Sequence, residues 1–192
     1  MKRIRFYAAI IVTTFFISFN ATAEYTRPVI RESLLSWSSW HAYCCIIYRE
    51  KGTYTVVHNR AIRTVLEEAR SNKKWAKKKV KKLKLNKMSK KKAVYRIYEY
   101  IEDHYDYDSS QAWLEMAIKS HRANCTAYAD LFYVLCKAQK IPVRYIRGNV
   151  EGGSHCWNQV KINKKWYWVD TCWGYRPRRN LWNDHYTVVE TW

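Results

Sequence analysis

Glycine and proline are scarce in this 192-residue chain, five of one and three of the other. Flexible linkers and strings of small modules draw on both, so their scarcity points to one domain with a sizeable core. Acidic residues are also few, 16 against 35 Lys and Arg, and the formal net charge is +19. A chain this basic is drawn to polyanions such as anionic lipid headgroups, acidic cell-surface polymers or nucleic acid. Past the first 23 residues, no apolar run approaches the roughly 20 residues a membrane-spanning helix needs. No two of the six cysteines are separated by two residues as in a metal knuckle, and the six histidines are scattered. That pattern excludes the usual structural zinc spacing, and no cofactor or metal is expected.

The first 23 residues have the layout of an export signal. Lys2, Arg3 and Arg5 make a positive start, Phe6 to Phe19 is mostly apolar, and Ala21-Thr22-Ala23 supplies small residues for cleavage before Glu24. The expectation is a secreted or extracytoplasmic protein whose fold begins at Glu24. An uncleaved N-terminal anchor is the other reading. Aromatic residues, 16% of the chain, gather in the β-prone runs, which favours a compact α+β globule over disorder.

The expected organisation is a signal at 1–23, an N-terminal extension at 24–88 and a core at 89–192. Within the extension, Tyr43 to Tyr48 and Tyr54 to Val57 flank Glu50-Lys51-Gly52 and read as a hairpin. Ala61 to Arg70 is helical, with Ile62, Val65, Leu66 and Ala69 on one face and Asn59 available as a cap. Lysine dominates Lys73 to Lys92, where Val80, Leu83, Leu85 and Met88 fit a helical face only loosely. That segment reads as a solvated helix or loop, or as a docking site for an anionic cell-surface polymer or membrane. Point charges without arginine forks or interleaved rings argue against specific nucleic-acid binding. Ser89 opens another helix, with Val94, Ile97, Tyr98, Ile101 and Tyr105 facing inward. Its lysines come first and its acids last, against the helix dipole, so burial must hold it. Gln111 to Lys119 makes a shorter helix, and Ser120 to Asn124 a loop leading to Cys125.

Cys125 opens an amphipathic run in which Leu131, Val134, Leu135 and Ala138 recur at helical spacing, ended by Pro142. A thiol in the first turn of a helix feels the positive end of the dipole, which favours thiolate. After Pro142, Val143 to Arg147 alternates as a strand closed by Gly148. His155 to Ile162 and Lys165 to Asp170 then form a hairpin about an Asn163-Lys164 turn. Opposed residues sum to an odd number, which makes His155 and Asp170 diagonal neighbours on one face. A helix-start cysteine, a histidine and an aspartate are the groups that thiol-based acyl transfer requires. The thiolate attacks a carbonyl, the imidazole moves protons and the carboxylate orients the imidazole.

Four stretches together resemble the transglutaminase-like family, a branch of the papain-like cysteine enzymes. They are Cys125-Thr-Ala-Tyr-Ala-Asp-Leu-Phe, Ile141-Pro-Val-Arg-Tyr-Ile-Arg-Gly148, His155-Cys-Trp-Asn-Gln-Val-Lys-Ile and Lys165-Trp-Tyr-Trp-Val-Asp-Thr-Cys-Trp173. The resemblance runs from about Val94 to Trp173. It implies an α+β core with the nucleophile helix packed on an antiparallel sheet, and a helix from Ser89 beside it. It also implies Cys125 as nucleophile, His155 as general base and acid, and Asp170 as orienter. Two positions depart from the family pattern: Ala123 stands where glycine is usual, and Cys172 where threonine is more frequent.

The oxyanion of such a reaction needs a donor besides the Cys125 N–H. Trp113, a group in the Ser120–Asn124 loop, and Asn124 itself are candidates, and Trp157 is expected to shield His155 from water. Of the remaining cysteines, Cys44 and Cys45 are too close in sequence to pair readily. Cys136 reads as a core residue and Cys156 as a packing residue on the sheet face opposite His155. Cys172 shares the catalytic face and is a candidate to pair with Cys125. The function expected is acyl transfer or hydrolysis on peptide or glutamine-type amides of a protein or peptide substrate. The competing reading is a catalytically inactive, secreted basic protein that binds an anionic surface.

Overall fold

A computed structural model describes residues 47–50, 53–56, 59–151, 153–180 and 186–191. The expected export signal, Cys44 and Cys45 lie outside these residues. Strands β1 (Ile47–Glu50) and β2 (Thr53–Val56) pair antiparallel as the expected hairpin.

Helix α1 (Asn59–Lys82) is longer than expected and takes in much of the Lys-rich segment. Lysine is a good helix former, and buried Ala69, Asn72, Ala76 and Val80 recur at the spacing of one helical stripe. Lys74, Lys77, Lys78, Lys81 and Lys82 lie exposed around it. Of the apolar face expected on this helix, Ala69 is buried, and the side chains of Ile62, Val65 and Leu66 lie outside the described residues. A 3-10 turn, Leu85–Lys87, leads to Ser89, whose hydroxyl accepts from the Lys92 N–H at 3.3 Å and caps α2 (Lys90–His104). Burial of Val94, Ile97, Tyr98 and Ile101 holds this helix against its adverse end charges. β3 (Asp106–Tyr107) and β4 (Arg122–Ala123) pair in parallel on either side of α3 (Leu114–Ser120), so the expected loop before Cys125 is partly strand.

Helix α4 (Cys125–Ala138) is the centre of the molecule. Residues 127 to 132 and 134 to 136 are all buried, and a helix apolar on every side has to be enclosed. α1, α2 and α3 pack against it, and so does the sheet. One core cluster joins Ala69, Ala76 and Val80 of α1 to Leu131 and Leu135 of α4 and to Val160, Ile162 and Val169 of the sheet. α1, placed by sequence in an N-terminal extension, therefore shares the core of residues 89–192. Asn72 of α1 ties it further, donating to Glu115 Oε1 of α3 at 2.5 Å.

The sheet has five antiparallel strands in the order β8-β7-β6-β5-β9. These are β5 (Val143–Val150), β6 (Gly153–Ile162), β7 (Lys165–Asp170), β8 (Tyr175–Arg178) and β9 (Tyr186–Thr191). Asn163 and Lys164 have φ of 50° and 67°, the two-residue turn whose twist matches the strands, and Ile162 pairs with Lys165 as expected. Along β6, Val160 and Ile162 join the cluster around α4. Trp157 joins Ile146, Val150 and Tyr186 in a second cluster on the other face. Gly148 does not close β5 as expected, because the strand continues to Val150. A Cβ at Gly148 would strike the Thr187 carbonyl of β9 and the Trp157 ring, so its absence lets β9 approach.

Candidate active site

Asn124 is extended (φ −93°, ψ −177°), and its Oδ1 accepts from the N–H groups of Thr126 (3.0 Å) and Ala127 (3.3 Å). This cap starts the helix at Cys125 and places the thiol at the positive end of the dipole. Asn124 Nδ2 donates to the Ser109 carbonyl at 3.4 Å, and its backbone N–H to the Gln111 carbonyl at 2.9 Å. The Asn124 side chain is thus held at both ends, its Oδ1 by the cap and one Nδ2 hydrogen by the Ser109 carbonyl. Trp113, two residues beyond Gln111, stands just before α3 with 39% of its surface exposed.

His155 lies on β6 and Asp170 ends β7, both buried, with Nε2 to Oδ2 at 2.7 Å. The Asp170 carboxylate takes three further donors. The Tyr186 hydroxyl donates to Oδ2 at 2.9 Å, and the N–H groups of Cys172 and Trp173 donate to Oδ1 at 2.9 and 3.1 Å. Such a set offsets the cost of burying the carboxylate's charge. Trp157 stacks on His155 at 5.8 Å between ring centres, Trp173 lies at 5.0 Å, and Tyr186 meets the imidazole edge-on at 6.3 Å. Trp157 is fully buried behind the imidazole, which suits shielding, while Trp173 is 41% exposed.

The His155 imidazole and the Cys125 thiol also bear on each other's protonation. The Cys125 thiol is pulled down to about 4, chiefly by a hydrogen bond from the Cys156 thiol; burial opposes this, and the hydrogen bond and charge of His155 add to it. Burial is the largest influence on His155 and disfavours its charge. The hydrogen bonds and charges of Asp170 and Cys125 outweigh it and raise the imidazole to about 9. Between those values the pair is thiolate and imidazolium.

Cys156 does point to the sheet face opposite His155, as strand alternation requires. That face is the one on which α4 lies, so the thiol packs against Ala129 and Tyr145 and stands 3.9 Å from the hydroxyl of Thr126, the neighbour of Cys125. The expected packing role holds, and beside it Cys156 lowers the pKa of the Cys125 thiol. Cys172 is a free thiol whose pKa is raised by burial first and by the charges of Asp170 and Cys125 after it. Cys136 is fully buried in the core, as expected. Sequence reasoning missed two neighbours of the site. Cys156 was within reach, since apolar Val160 and Ile162 mark its face as the one a helix covers. Tyr186 had no signal, because its bond to Asp170 depends on a strand at the opposite edge of the sheet from β8. Among the described residues no group of three or more His, Cys, Asp or Glu side chains could hold a metal ion.

A cysteine at the start of a buried helix, against a histidine and a carboxylate on an antiparallel sheet, defines the papain-like class of thiol-dependent enzyme folds. The sequence model of the transglutaminase-like superfamily matches residues 62–171, more than half of the chain, and this protein belongs to that superfamily. Among solved structures it is similar to a Cytophaga hutchinsonii chain described as a cysteine protease, with 23% identity and a TM-score of 0.43 over 52% of this chain and 35% of that one. It is also similar to a TGase, with 20% identity and a TM-score of 0.47 over 55% of this chain and 32% of that one. The EGTA-treated LapG of Legionella pneumophila has 12% identity and a TM-score of 0.48 over 57% of this chain and 66% of that one. The matched part thus spans about a third of the first two chains and under two thirds of the third. No curated protein matches the chain in sequence.

Proposed function

We propose that this protein is a cysteine enzyme that cleaves or transfers acyl groups of peptide or glutamine-type amides through a thioester on Cys125. The observation that carries the reading is the 2.7 Å His155–Asp170 bond, with the same imidazole favouring the thiolate of Cys125 at the start of α4. The Cys125 thiolate attacks the carbonyl carbon, and the oxyanion draws on the Cys125 N–H and, in this reading, the Trp113 indole. The C–N bond then breaks, and the His155 imidazolium gives its proton to the departing amine. The neutral imidazole next takes a proton from water or from an acceptor amine, which attacks the thioester and releases Cys125. Asp170 holds the imidazole in the tautomer this requires.

The exposed rings of Trp113 and Trp173 suit an aromatic rim that excludes water from an acceptor amine. A single assay tests both the chemistry and its outcome. The protein is incubated with a glutamine-containing peptide and a fluorescent primary amine, with Cys125→Ala alongside. Amine incorporation makes it a transferase, and conversion of the glutamine to glutamate or release of peptide fragments makes it a hydrolase. Neither product above the Cys125→Ala background overturns the reading.

The exposed lysines of α1 favour a second property, attachment to an anionic cell-surface polymer or membrane. Such attachment accords with the export expected from residues 1–23. If activity is absent and binding present, the protein is a basic surface-binding protein built on an inactive site.

A further inference from the structure

We propose that Cys125 and Cys156 form an oxidisable thiol pair in which Cys156 captures the peroxide-oxidised nucleophile as a reversible intramolecular disulfide. Their placement is dictated by two elements. Cys125 opens α4, and Cys156 lies on the face of β6 that α4 covers, packed against Ala129 one turn along the same helix. The hydroxyl of Thr126, the neighbour of Cys125, is 3.9 Å from the Cys156 sulfur. The nearness of Cys156 is also felt at the Cys125 thiol, whose pKa it lowers. Both cysteines are free thiols in this structure.

Accessibility divides the work between them. Cys125 is half-buried and reachable, whereas Cys156 is 6% exposed. Peroxide therefore meets Cys125 first. The Cys125 thiolate attacks one peroxide oxygen, an S–O bond forms and the O–O bond breaks. The sulfur is oxidised by two electrons to a sulfenic acid, and the other oxygen leaves as hydroxide and takes a proton. The Cys156 sulfur then attacks the sulfenic sulfur, the S–O bond breaks, and water departs carrying the Cys156 proton. While Cys125 is a thiolate, its hydrogen bond holds the Cys156 proton in place, with burial adding to the effect. Conversion to a neutral sulfenic acid removes that negative charge and frees Cys156 to react. An external dithiol restores both thiols by two exchange steps.

The other cysteines are less suited. Cys136 is enclosed in the core, and Cys172 lies past the end of β7 and not on the face of β6 that α4 covers. The pair therefore guards the nucleophile against irreversible sulfinic acid formation and masks it while oxidant persists.

The test uses the reduced full-length chain, treated with graded hydrogen peroxide, quenched with N-ethylmaleimide and mapped by mass spectrometry without reduction. A cross-linked Cys125–Cys156 peptide is expected, with Cys125 alkylation lost and then regained after dithiothreitol. Cys156→Ala and Cys156→Ser should form no such cross-link. They should accumulate sulfinic acid at Cys125 on the order of tenfold faster than wild type, while Cys172→Ala behaves as wild type. A cross-link from Cys125 to Cys172 overturns the proposal. So does equal over-oxidation of wild type and the Cys156 variants with no cross-link. No readout depends on turnover, so failure here is distinct from failure of the proposed enzymatic function.

Discussion

The Tyr186 hydroxyl donates to the Asp170 oxygen that also accepts from His155, at 2.9 Å. Tyr186 thus positions the imidazole at second hand. Tyr186→Phe keeps the ring that Trp157 meets edge-on and removes only the donor. Loss of one hydrogen bond to a charged group, about 1.5 kcal/mol, predicts roughly a tenfold fall in turnover. KM should change little, and the alkaline limb of the pH profile should move up, because Asp170 would place more negative charge on the imidazolium. A Phe variant with wild-type turnover and an unmoved limb would remove Tyr186 from the site's machinery.

The thiolate–imidazolium pair predicts a broad window for alkylation of Cys125. The thiol pKa is lowered, so thiolate is lost as pH falls through about 4. The imidazole pKa is raised, so its positive charge is lost as pH rises through about 9. A low-pKa thiolate is intrinsically less nucleophilic, yet at pH 5 its abundance should make Cys125 react with iodoacetamide on the order of tenfold faster than an ordinary thiol. Equal rates at pH 5 would contradict the ion pair.

Asp170→Asn tests the other end of the same chain of bonds. The neutral amide withdraws the charge that helps hold His155 protonated, so the alkaline limb should fall by about a unit or more. Turnover should drop by at least about tenfold, since the imidazole loses its oriented tautomer. The backbone donors of Cys172 and Trp173 face Asp170 Oδ1, and circular dichroism should report an intact fold.

Gly148→Ala joins packing to chemistry. The added methyl group meets the Thr187 backbone and the Trp157 ring, and the β9 backbone cannot rotate away as a side chain would. Overpacking of this kind costs about 1–3 kcal/mol, readable as a lower urea midpoint. Because β9 carries Tyr186, activity should fall further than stability alone explains.

The lysines of α1 predict electrostatic adhesion. Replacing Lys74, Lys77, Lys78 and Lys81 by Glu should abolish sedimentation with anionic vesicles and leave amide chemistry unchanged. Wild-type protein should release as salt rises well above about 0.15 M, where screening shortens the reach of exposed charges. Retention at high salt would point to an apolar contact instead.

The helix start at Cys125, the two-residue turn at Asn163-Lys164 and the diagonal placing of His155 and Asp170 were legible in the sequence. Each follows from a local rule: an apolar period of 3.6, a two-residue turn, and side chains that alternate along paired strands. The continuation of α1 through the lysines was less legible. Its buried stripe of Ala69, Asn72, Ala76 and Val80 uses small and polar residues that carry little hydropathic signal.

Local periodicity, then, determined which residues stand on which face of their own element, and with that which cysteine, histidine and aspartate make up the candidate site. What stands opposite a face was decided only by tertiary packing. The side of the sheet that α4 covers set Cys156 against the first turn of that helix, beside Thr126 and Ala129. The sheet order, with β9 at the edge away from β8, brought the Tyr186 hydroxyl to Asp170. Strand parity is set within a few residues by backbone geometry. Layer order depends on the burial of every apolar surface at once, and no short stretch of chain encodes it.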